Sequence, residues 1–359
     1  MMKKIYLILV LLSLVLNSSC GQSISDNEAR RDDFDSYQNI YHKFKTSEDD
    51  VFLGRPQSIN LIGSWLAITD AYDEHLVTLV SNDFKKSKRG FRRGVGPGEF
   101  FGGIIFIPTL DSKKVMINHR NANKFITYST SDVINDNLET PSRVDSIFTK
   151  GLYTTYIEKG YVIAEAKPDN KLFSLVNRRG KEIKRFGDYP GKIGSDFNAG
   201  EEFLSMYIQN IIASNPDKNI VAAGGFNSDL LCFYQIDENG NSVLLNQYHT
   251  YDPKITVEAF KEGYGASAKF NENTRDAYTF LCPTKNHLFA LYRGYLMKER
   301  KNNPYCYIQV FDWDGNFIKG YKTDIRISSI AVDEEKGIAY GLIGGENPAI
   351  CTFQLEGLN

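Results

Sequence analysis

The sequence predicts an all-β fold: a six-bladed β-propeller of four-stranded antiparallel blades, with the ring closed by an N-terminal strand. Three observations lead to this prediction. A strand–turn–strand unit recurs about six times, its turns carry Gly, Asp, Asn or Pro, and the last copy lacks a fourth strand. Repeats of roughly 40–50 residues that are built from strands and turns are typical of propellers.

Each repeat begins with two alternating apolar runs joined by a short turn. The six pairs read SINLIGSWLAIT, FIPTLDSKKVMIN, YIEKGYVIAEA, IIASNPDKNIVAAGG, FLCPTKNHLFALY and IAVDEEKGIAYGLI. A third run follows each pair, and turns such as Asn239-Gly240 and Asp314-Gly315 lead to a fourth. Asn-Gly and Asp-Gly favour hairpins because both residues tolerate a positive φ. We therefore expect blades whose strands, A to D, run outward from the axis.

The two ends of the chain are expected to meet in one blade. After AICTFQL the sequence ends at Asn359 without a fourth strand, whereas Gln38–Lys45 is an alternating segment that no other blade claims. We expect this segment to be the outer strand of the last blade. Such closure removes an exposed strand edge, which would otherwise invite aggregation.

Loop lengths distinguish the two faces of the ring. The A–B and C–D turns share one face and are short, so we call it the tight-turn face; B–C loops and D–A links share the other, the long-loop face. Insertions that gather on one face of a repeat protein often form its binding surface. The D–A link Tyr251–Asp276 is also expected to hold a short helix over the central opening of the ring. The long segments are Arg293–Tyr305, Arg92–Gly103, Asp188–Gly200 and Tyr251–Asp276.

The N-terminus predicts export and lipid attachment. Lys3 and Lys4 precede an apolar run, and small residues lead into Cys20, which we expect to carry the lipid; an ordinary secretory signal with an incidental cysteine is the alternative. Two or three acyl chains hold a protein stably on a bilayer. We thus divide the chain into a signal peptide (1–19), the lipidated cysteine with a flexible tether (20–36) and the propeller (37–359). The expected location is the outer membrane, on its periplasmic side.

Composition limits the possible partners and the role of the thiols. Without residues 1–19 the chain keeps 40 basic and 44 acidic residues. No basic stripe remains to neutralise phosphates, so nucleic acid is not an expected partner. Besides Cys20, four cysteines lie inside or beside apolar strand patterns without a CxxC pair, which favours buried thiols. They are Cys232, Cys282, Cys306 and Cys351.

A glycine-rich string, Gly94–Phe100, follows the first repeat. Three glycines and a proline cannot continue a strand ladder, so we interpret the string as a tight crossing between blades. Phe100 is expected to pack between blades, and Glu99 to accept backbone N–H bonds. The alternative is a phosphate-binding loop, which would need a following helix and usually Gly-Lys-Ser/Thr. The structural residues are Gly96, Pro97, Gly98, Glu99 and Phe100.

Several strings together carry a resemblance to a known family. RRGVGPGEF followed by IIFIP, then HLFALYRGY and ISSIAVDEEKGIAYGLI, resemble the TolB-like six-bladed β-propeller lipoproteins of Gram-negative bacteria. The glycine-rich crossing is also similar to an NHL repeat. The resemblance implies an exported, lipid-anchored propeller and brings no catalytic residue with it.

Candidate ligand residues lie on the long-loop face. Arg293 directly follows the strand LFALY at its mouth end, so we expect it to point toward the central opening, beside Tyr292. His75 and His119 lie in or near the B–C loops of neighbouring blades, where they either converge at the rim or are solvated. The remaining candidates are Arg120 and Tyr264.

No local motif predicts a metal, a cofactor or a catalytic residue. The histidines lack HxH and HExxH spacing, and Asp312–Asn316 lacks the downstream glutamate of a calcium loop. The leading hypothesis is a non-catalytic binding or scaffolding lipoprotein of the cell envelope, whose long-loop face takes a protein partner or a glycan-like ligand. The alternative is a propeller-type hydrolase or lyase with its site at the axial mouth. An enzyme would gather ionisable groups with perturbed pKa values around the axis.

Overall fold

The chain enters the ring through a helix and two short strands. A computed structural model describes residues 22–47, 50–148, 153–165, 169, 171–190, 210–259 and 266–358. Helix α1 (Gln22–Asp32) leads through a 3-10 turn to β1 (Gln38–Ile40) and β2 (His42–Lys45). No helix in these ranges is both long and apolar enough to cross a bilayer.

Six blades follow in chain order. Blade 1 contains β3–β6 (Pro56–Ile62, Trp65–Tyr72, His75–Ser81 and Ser87–Arg92). Blade 2 contains β7–β10 (Ile104–Ile107, Lys114–His119, Lys124–Ser129 and Arg143–Ser146). Helix α2 (Thr130–Asn135) precedes the last strand of blade 2. Blade 3 contains β11–β14 (Tyr153–Ile157, Gly160–Ala164, Lys171–Val176 and Glu182–Asp188). Blade 4 contains β15–β18 (Asn210–Asn215, Ile220–Gly225, Leu231–Ile236 and Ser242–Tyr248). A hairpin, β19–β20 (Ile255–Ala259 and Ala266–Phe270), precedes blade 5, which contains β21–β24 (Tyr278–Pro283, His287–Tyr292, Tyr307–Asp312 and Phe317–Thr323). Blade 6 contains β25–β27 (Ser329–Asp333, Ile338–Ile343 and Ala349–Gln354).

The predicted all-β, six-bladed fold and its closure are confirmed. Strand β2 pairs antiparallel with β27, with Lys45 opposite Cys351, and thus supplies the missing outer strand of blade 6. The N–H of Thr46 donates to the carbonyl of Ile350 at 2.9 Å. Strand β1 instead pairs in parallel with β24 of blade 5. The alternating segment is therefore divided between two blades, which the sequence does not predict.

Two predicted connections fold differently. The C–D connection of blade 2, which was expected to be a short turn like the others, contains helix α2, because the Ser129 side chain accepts the N–H of Asp132 at 3.0 Å and caps the helix. The link expected to hold a short helix is instead the hairpin β19–β20. Its β-branched, alternating start, Ile255–Val257, favours strands over the helix formers further along.

The segment 20–36, which we expected to be a flexible tether, is largely helical where the structure describes it. Helix α1 occupies residues that we expected to be unstructured, and its Arg31 side chain is 1% exposed. Arg31 Nη2 donates to the buried Asp229 carboxylate of blade 4 at 2.9 Å. The composition of the segment does not reveal this contact: a buried arginine needs a hydrogen-bonding partner, and Asp229 lies 198 positions away in the sequence.

Aromatic and aliphatic side chains fill the junctions between blades. At the first junction Phe100 is 1% exposed, and its ring lies 5.3 Å from that of Phe91. The Gly96 N–H donates to Glu99 Oε2 at 3.0 Å. Gly98 has φ +72°, and a Cβ there would lie 3.1 Å from the backbone of Leu138, so only glycine fits comfortably.

The four described cysteines have free thiols. Burial raises the pKa of Cys232, Cys282 and Cys351 to about 12, so these groups are neutral and weakly nucleophilic at ordinary pH. Cys232, Cys306 and Cys351 are buried, which agrees with the interpretation of most of the cysteines as small buried side chains; Cys282 is partly exposed.

Candidate functional site

A cavity of about 350 Å³ lies on the axis of the ring. It is lined by residues at or near the starts of all six innermost strands. Each of these strands follows a D–A link, so this end of the cavity lies on the long-loop face. Its volume falls in the range usual for small-ligand sites, about 300–1,000 Å³. Representative lining residues from the six blades are Gln57, Ile104, Tyr153, Ile211, Thr279 and Ser328.

The cavity wall combines apolar surface with neutral polar groups. Phe106, Phe280 and other apolar side chains form much of the lining. Hydroxyl and amide side chains stand among them, and two hydroxyls, Ser58 Oγ and Thr69 Oγ1, lie 2.7 Å apart. Such a wall suits a ligand that offers both apolar faces and hydrogen-bonding groups. The other neutral polar residues are Gln57, Asn60, Asn118, Thr154, Thr279 and Ser328.

Arg120 supplies the positive charge at this cavity. It begins a 3-10 turn in the B–C loop of blade 2, directly after β8, and its side chain is exposed. Within the described ranges, no carboxylate lies within ion-pair distance of its guanidinium. The loop ends in Asn123 at φ 53°, a left-handed conformation that asparagine tolerates. Arg120 can therefore pair with an incoming anionic group without first giving up an internal partner.

Two aromatic rings lie near the same opening. Tyr153 begins β11 and Phe226 follows β16, and their ring centroids are 5.4 Å apart. Burial raises the pKa of Tyr153, and the charge of Arg120 only partly offsets that effect. The phenol is therefore neutral at ordinary pH and available for hydrogen bonding. Among the described residues, the cation of Arg120 and an aromatic pair thus share the mouth.

Arg293 does not line the axial cavity as expected. Its Nη1 lies 3.7 Å from Asp276 Oδ2, and the same carboxylate receives hydrogen bonds from Arg300. Arg293 is thus paired with a carboxylate of the D–A link and is not among the residues that line the cavity. Tyr292 is buried, and its ring stacks on Phe34 at 5.7 Å.

The two candidate histidines are not brought together at the axis. His119 is buried, its Nε2 lies 2.8 Å from the carbonyl oxygen of Phe101, and it packs on the rings of Phe100 and Phe101. His75 begins β5, and its Nδ1 is buried with no hydrogen-bond partner in the described part of the chain. Neither side chain lines the axial cavity. Cys20 and Tyr264 lie outside the described residues.

A second cavity, of about 680 Å³, lies between the N-terminal segment and blades 4 and 5. Tyr292, Asp229 and Arg275 are among its lining residues. Asp229 is already bound, by Arg31 and by the backbone N–H groups of Thr250 and Tyr251. No group of three or more potential metal ligands occurs among the described residues. We therefore take the axial cavity as the candidate site.

Sequence reasoning found Arg120 but missed most of the cavity. Tyr153, Phe226 and the neutral polar groups carry no motif. A usable signal exists in the repeat itself, because the first residues of every innermost strand must surround the axis. Reading those six positions together would have identified most of the wall.

Comparisons with known proteins agree with this architecture. The family model described as TolB-like 6-blade propeller-like matches residues 35–335. A protein from Bacteroides fragilis whose name calls it exported has a similar structure, with TM-score 0.52, 11% identity and coverage of 90% of this chain and 97% of the other. A DUF4221 family member from Bacteroides vulgatus gives TM-score 0.50, 12% identity and coverage of 88% and 97%. No curated protein matches the sequence. With its six blades and this match over most of its length, the chain belongs to the TolB-like six-blade propeller family.

Proposed function

We propose that this propeller is a non-catalytic binding protein of the bacterial cell envelope. Its ligand occupies the axial cavity from the long-loop face, and is either a glycan-like molecule with an acidic group or an acidic loop of a protein partner. The protein is held on the outer membrane, on its periplasmic side, through lipid on Cys20. The proposed role includes scaffolding, in which the long-loop face holds a protein partner.

The observation that carries the proposal is the pairing of Arg120 with two aromatic rings at an open cavity. A guanidinium binds a carboxylate in a planar, two-point arrangement. Tyr153 and Phe226 offer faces on which a sugar ring can pack, and the neutral amides and hydroxyls deeper in the cavity can bind its hydroxyl groups. Because Arg120 is the one cation among the described lining residues, the cavity favours a ligand with few negative charges.

The ionisable groups around the cavity support binding over catalysis. Among its described lining residues, only Arg120 and Tyr153 titrate. Acid–base chemistry needs groups that exchange protons near neutral pH, and a phenol with a raised pKa beside a guanidinium does not provide them. A hydrolase or lyase would be expected to place carboxylates or histidines here.

The cellular address rests on the N-terminal sequence and on one comparison. The charged start, apolar run and Cys20 have the arrangement of a lipoprotein signal. The similar protein from Bacteroides fragilis is named as exported. Both support placement in the envelope.

Ligand-dependent thermal stabilisation tests the proposal. A soluble form beginning at Gln22 would be heated with acidic oligosaccharides, matched neutral oligosaccharides and cell-wall fragments. A ligand at a hundred times its dissociation constant adds about 2.7 kcal/mol of stability, which raises the melting temperature by several degrees. We expect acidic glycans to shift the wild type and the Arg293→Gln control, but not Arg120→Gln.

Two results would contradict parts of this proposal. A shift that Arg120→Gln retains in full would exclude the axial cavity as the site. If no glycan shifts the wild type, the glycan ligand is excluded. Crosslinking in intact cells from Arg120→Cys would then test the protein partner against the same substitution at exposed Arg30, on the opposite side of the ring.

A further inference from the structure

Four exposed aliphatic side chains lie along one edge of the ring. They occupy the outer strands of blades 3, 4 and 5, close to the tight-turn face where each of these strands begins. Isolated exposed apolar residues are ordinary, but equivalent positions in three consecutive blades form a continuous band. We call this band the apolar rim. Its members, with their exposed fractions, are Ile183 (45%), Val243 (57%), Leu244 (47%) and Ile318 (38%).

Contacts between blades make the rim continuous. Lys184 of blade 3 donates to Asn241 of blade 4 at 2.6 Å, so Ile183 lies next to the turn that precedes Val243. The Asn246 amide of blade 4 donates to the carbonyl of Gly315 in blade 5 at 2.9 Å. That turn leads directly to Ile318. The apolar rim therefore runs along the first residues of the outer strands of three adjacent blades.

Helix α1 reaches the ring at the same edge. The Asn27 amide donates to Asn316 Oδ1 at 3.1 Å, and Arg30 Nη2 donates to the carbonyl of Ile318 at 3.4 Å. Cys20 precedes Asn27 by seven residues, which span at most about 25 Å when extended and about 10 Å when helical. A lipid on Cys20 would therefore hold this rim close to the bilayer.

We infer that the apolar rim rests on the bilayer that holds the Cys20 lipid, so that the long-loop face and the axial cavity point away from the membrane. This inference rests on the lipid anchor in the proposed function, but not on the ligand. Anchoring makes the rim's contact intramolecular, so even a weak affinity suffices. Because helix α1 brings the lipid-bearing end of the chain to this edge, the bilayer is favoured over a second copy of the chain as the surface that the rim meets.

Apolar contact, and not net charge, is expected to dominate. Arg178, Arg179 and Lys184 are exposed near blade 3, but Glu238 and Asp314 lie at the next two turns. Opposite charges are thus interspersed along the rim. Binding should therefore depend only weakly on the content of anionic lipid.

The test uses the native lipoprotein in vesicles of phosphatidylethanolamine and phosphatidylglycerol. Ile183→Cys, Val243→Cys and Ile318→Cys each receive a polarity-sensitive fluorophore, and a quencher is placed on lipid chains near the headgroups. Tyr72→Cys is the matched control, because Tyr72 is also 45% exposed but lies in blade 1 at the long-loop face. Protein without an introduced cysteine corrects for labelling at Cys282.

We expect blue-shifted emission and several-fold stronger quenching at the three rim positions than at Tyr72→Cys. Equal quenching at all four positions, or none at the rim, would overturn the inference. Flotation with vesicles tests the anchor separately: wild type should float and Cys20→Ser should not. If neither floats, the anchor fails together with the inference, while the ligand-binding proposal is unaffected. If both float equally, the orientation no longer follows from the anchor and is also overturned.

Discussion

The first and fourth junctions of the ring are filled by different means. Between blades 1 and 2, Phe91 of β6 packs against Phe100, which lies in the link that follows that strand, so the two rings are only nine positions apart. Between blades 4 and 5, Arg31 of helix α1 binds Asp229, a residue 198 positions away. The first junction is built locally from apolar groups, whereas the fourth needs a charged group from the N-terminus. A substitution that weakens the fourth junction should therefore also release the N-terminal segment from the ring.

The largest expected effect is that of Arg31→Ala. This substitution leaves the Asp229 carboxylate buried without its cation, and breaking one side of a buried ion pair destabilises a protein by about 3–5 kcal/mol. Urea unfolding would measure the loss. Arg30→Ala is the control, because Arg30 is exposed and its contacts in the described part of the chain are weak: a long bond to the carbonyl of Ile318 and a position 5.9 Å from the Phe317 ring. Equal effects of the two substitutions would show that the fourth junction does not depend on this pair.

Phe100→Ala is expected to have a slightly smaller effect, roughly 3 kcal/mol, through the cavity that it leaves beside Phe91. In contrast to Arg31→Ala, it should not increase proteolysis near residue 30, since the N-terminal segment is docked elsewhere. Phe101→Ala is the neighbouring control, because Phe101 is 44% exposed. Cleavage at the N-terminus in Phe100→Ala would mean that the two junctions are coupled.

Glu99→Ala should remove about 1 kcal/mol, because the Gly96 N–H then loses its acceptor within the crossing. Glu99→Gln should restore most of this stability, since its amide oxygen can accept the same N–H. Urea unfolding of both variants separates the hydrogen bond from the charge. If Glu99→Gln is as unstable as Glu99→Ala, the weak contact with Arg92 at 3.8 Å matters more.

The smallest expected effect is a pH dependence at the junction of blades 5 and 6. Burial favours the neutral form of Glu334, but hydrogen bonds from His287 and other groups outweigh it, and its pKa is lowered below the usual 4.5. A lowered pKa stabilises the fold at pH values above the unfolded-state pKa. That stabilisation is lost as the pH falls below about 4.5. Wild type should therefore melt at a higher temperature than Glu334→Gln at neutral pH. This difference in melting temperature should shrink as the pH falls to about 4.

The ring itself was largely predictable from the sequence. Alternating apolar runs and turns such as Asp314-Gly315 are local signals, and they identify the strands of all six blades. The division of Gln38–Lys45 between blades 5 and 6 was not predictable, because both of its strands alternate and nothing local selects a partner. The contact of Arg31 with Asp229 is similarly invisible, since it depends on where two distant segments meet.

The candidate site was only partly predictable, for a related reason. Arg120 was named as a candidate on the long-loop face and lines the axial cavity, whereas Arg293, which was chosen for its place at the end of a strand, does not. The two differ in their neighbours: Asp276 lies within reach of Arg293, whereas no described carboxylate lies near Arg120. Strand position predicts where a side chain starts, but the charges packed around it decide where it points.

The closing blade also sets the order in which the molecule can form. The N–H of Ile350 donates to Thr46 Oγ1, and this bond joins residues 304 positions apart. A growing chain therefore cannot complete blade 6 until its last strand has been synthesised, and folding dominated by such distant pairings is slow. If the protein is exported, as we propose, that delay keeps the chain threadable through a translocation channel until both of its ends have crossed the membrane.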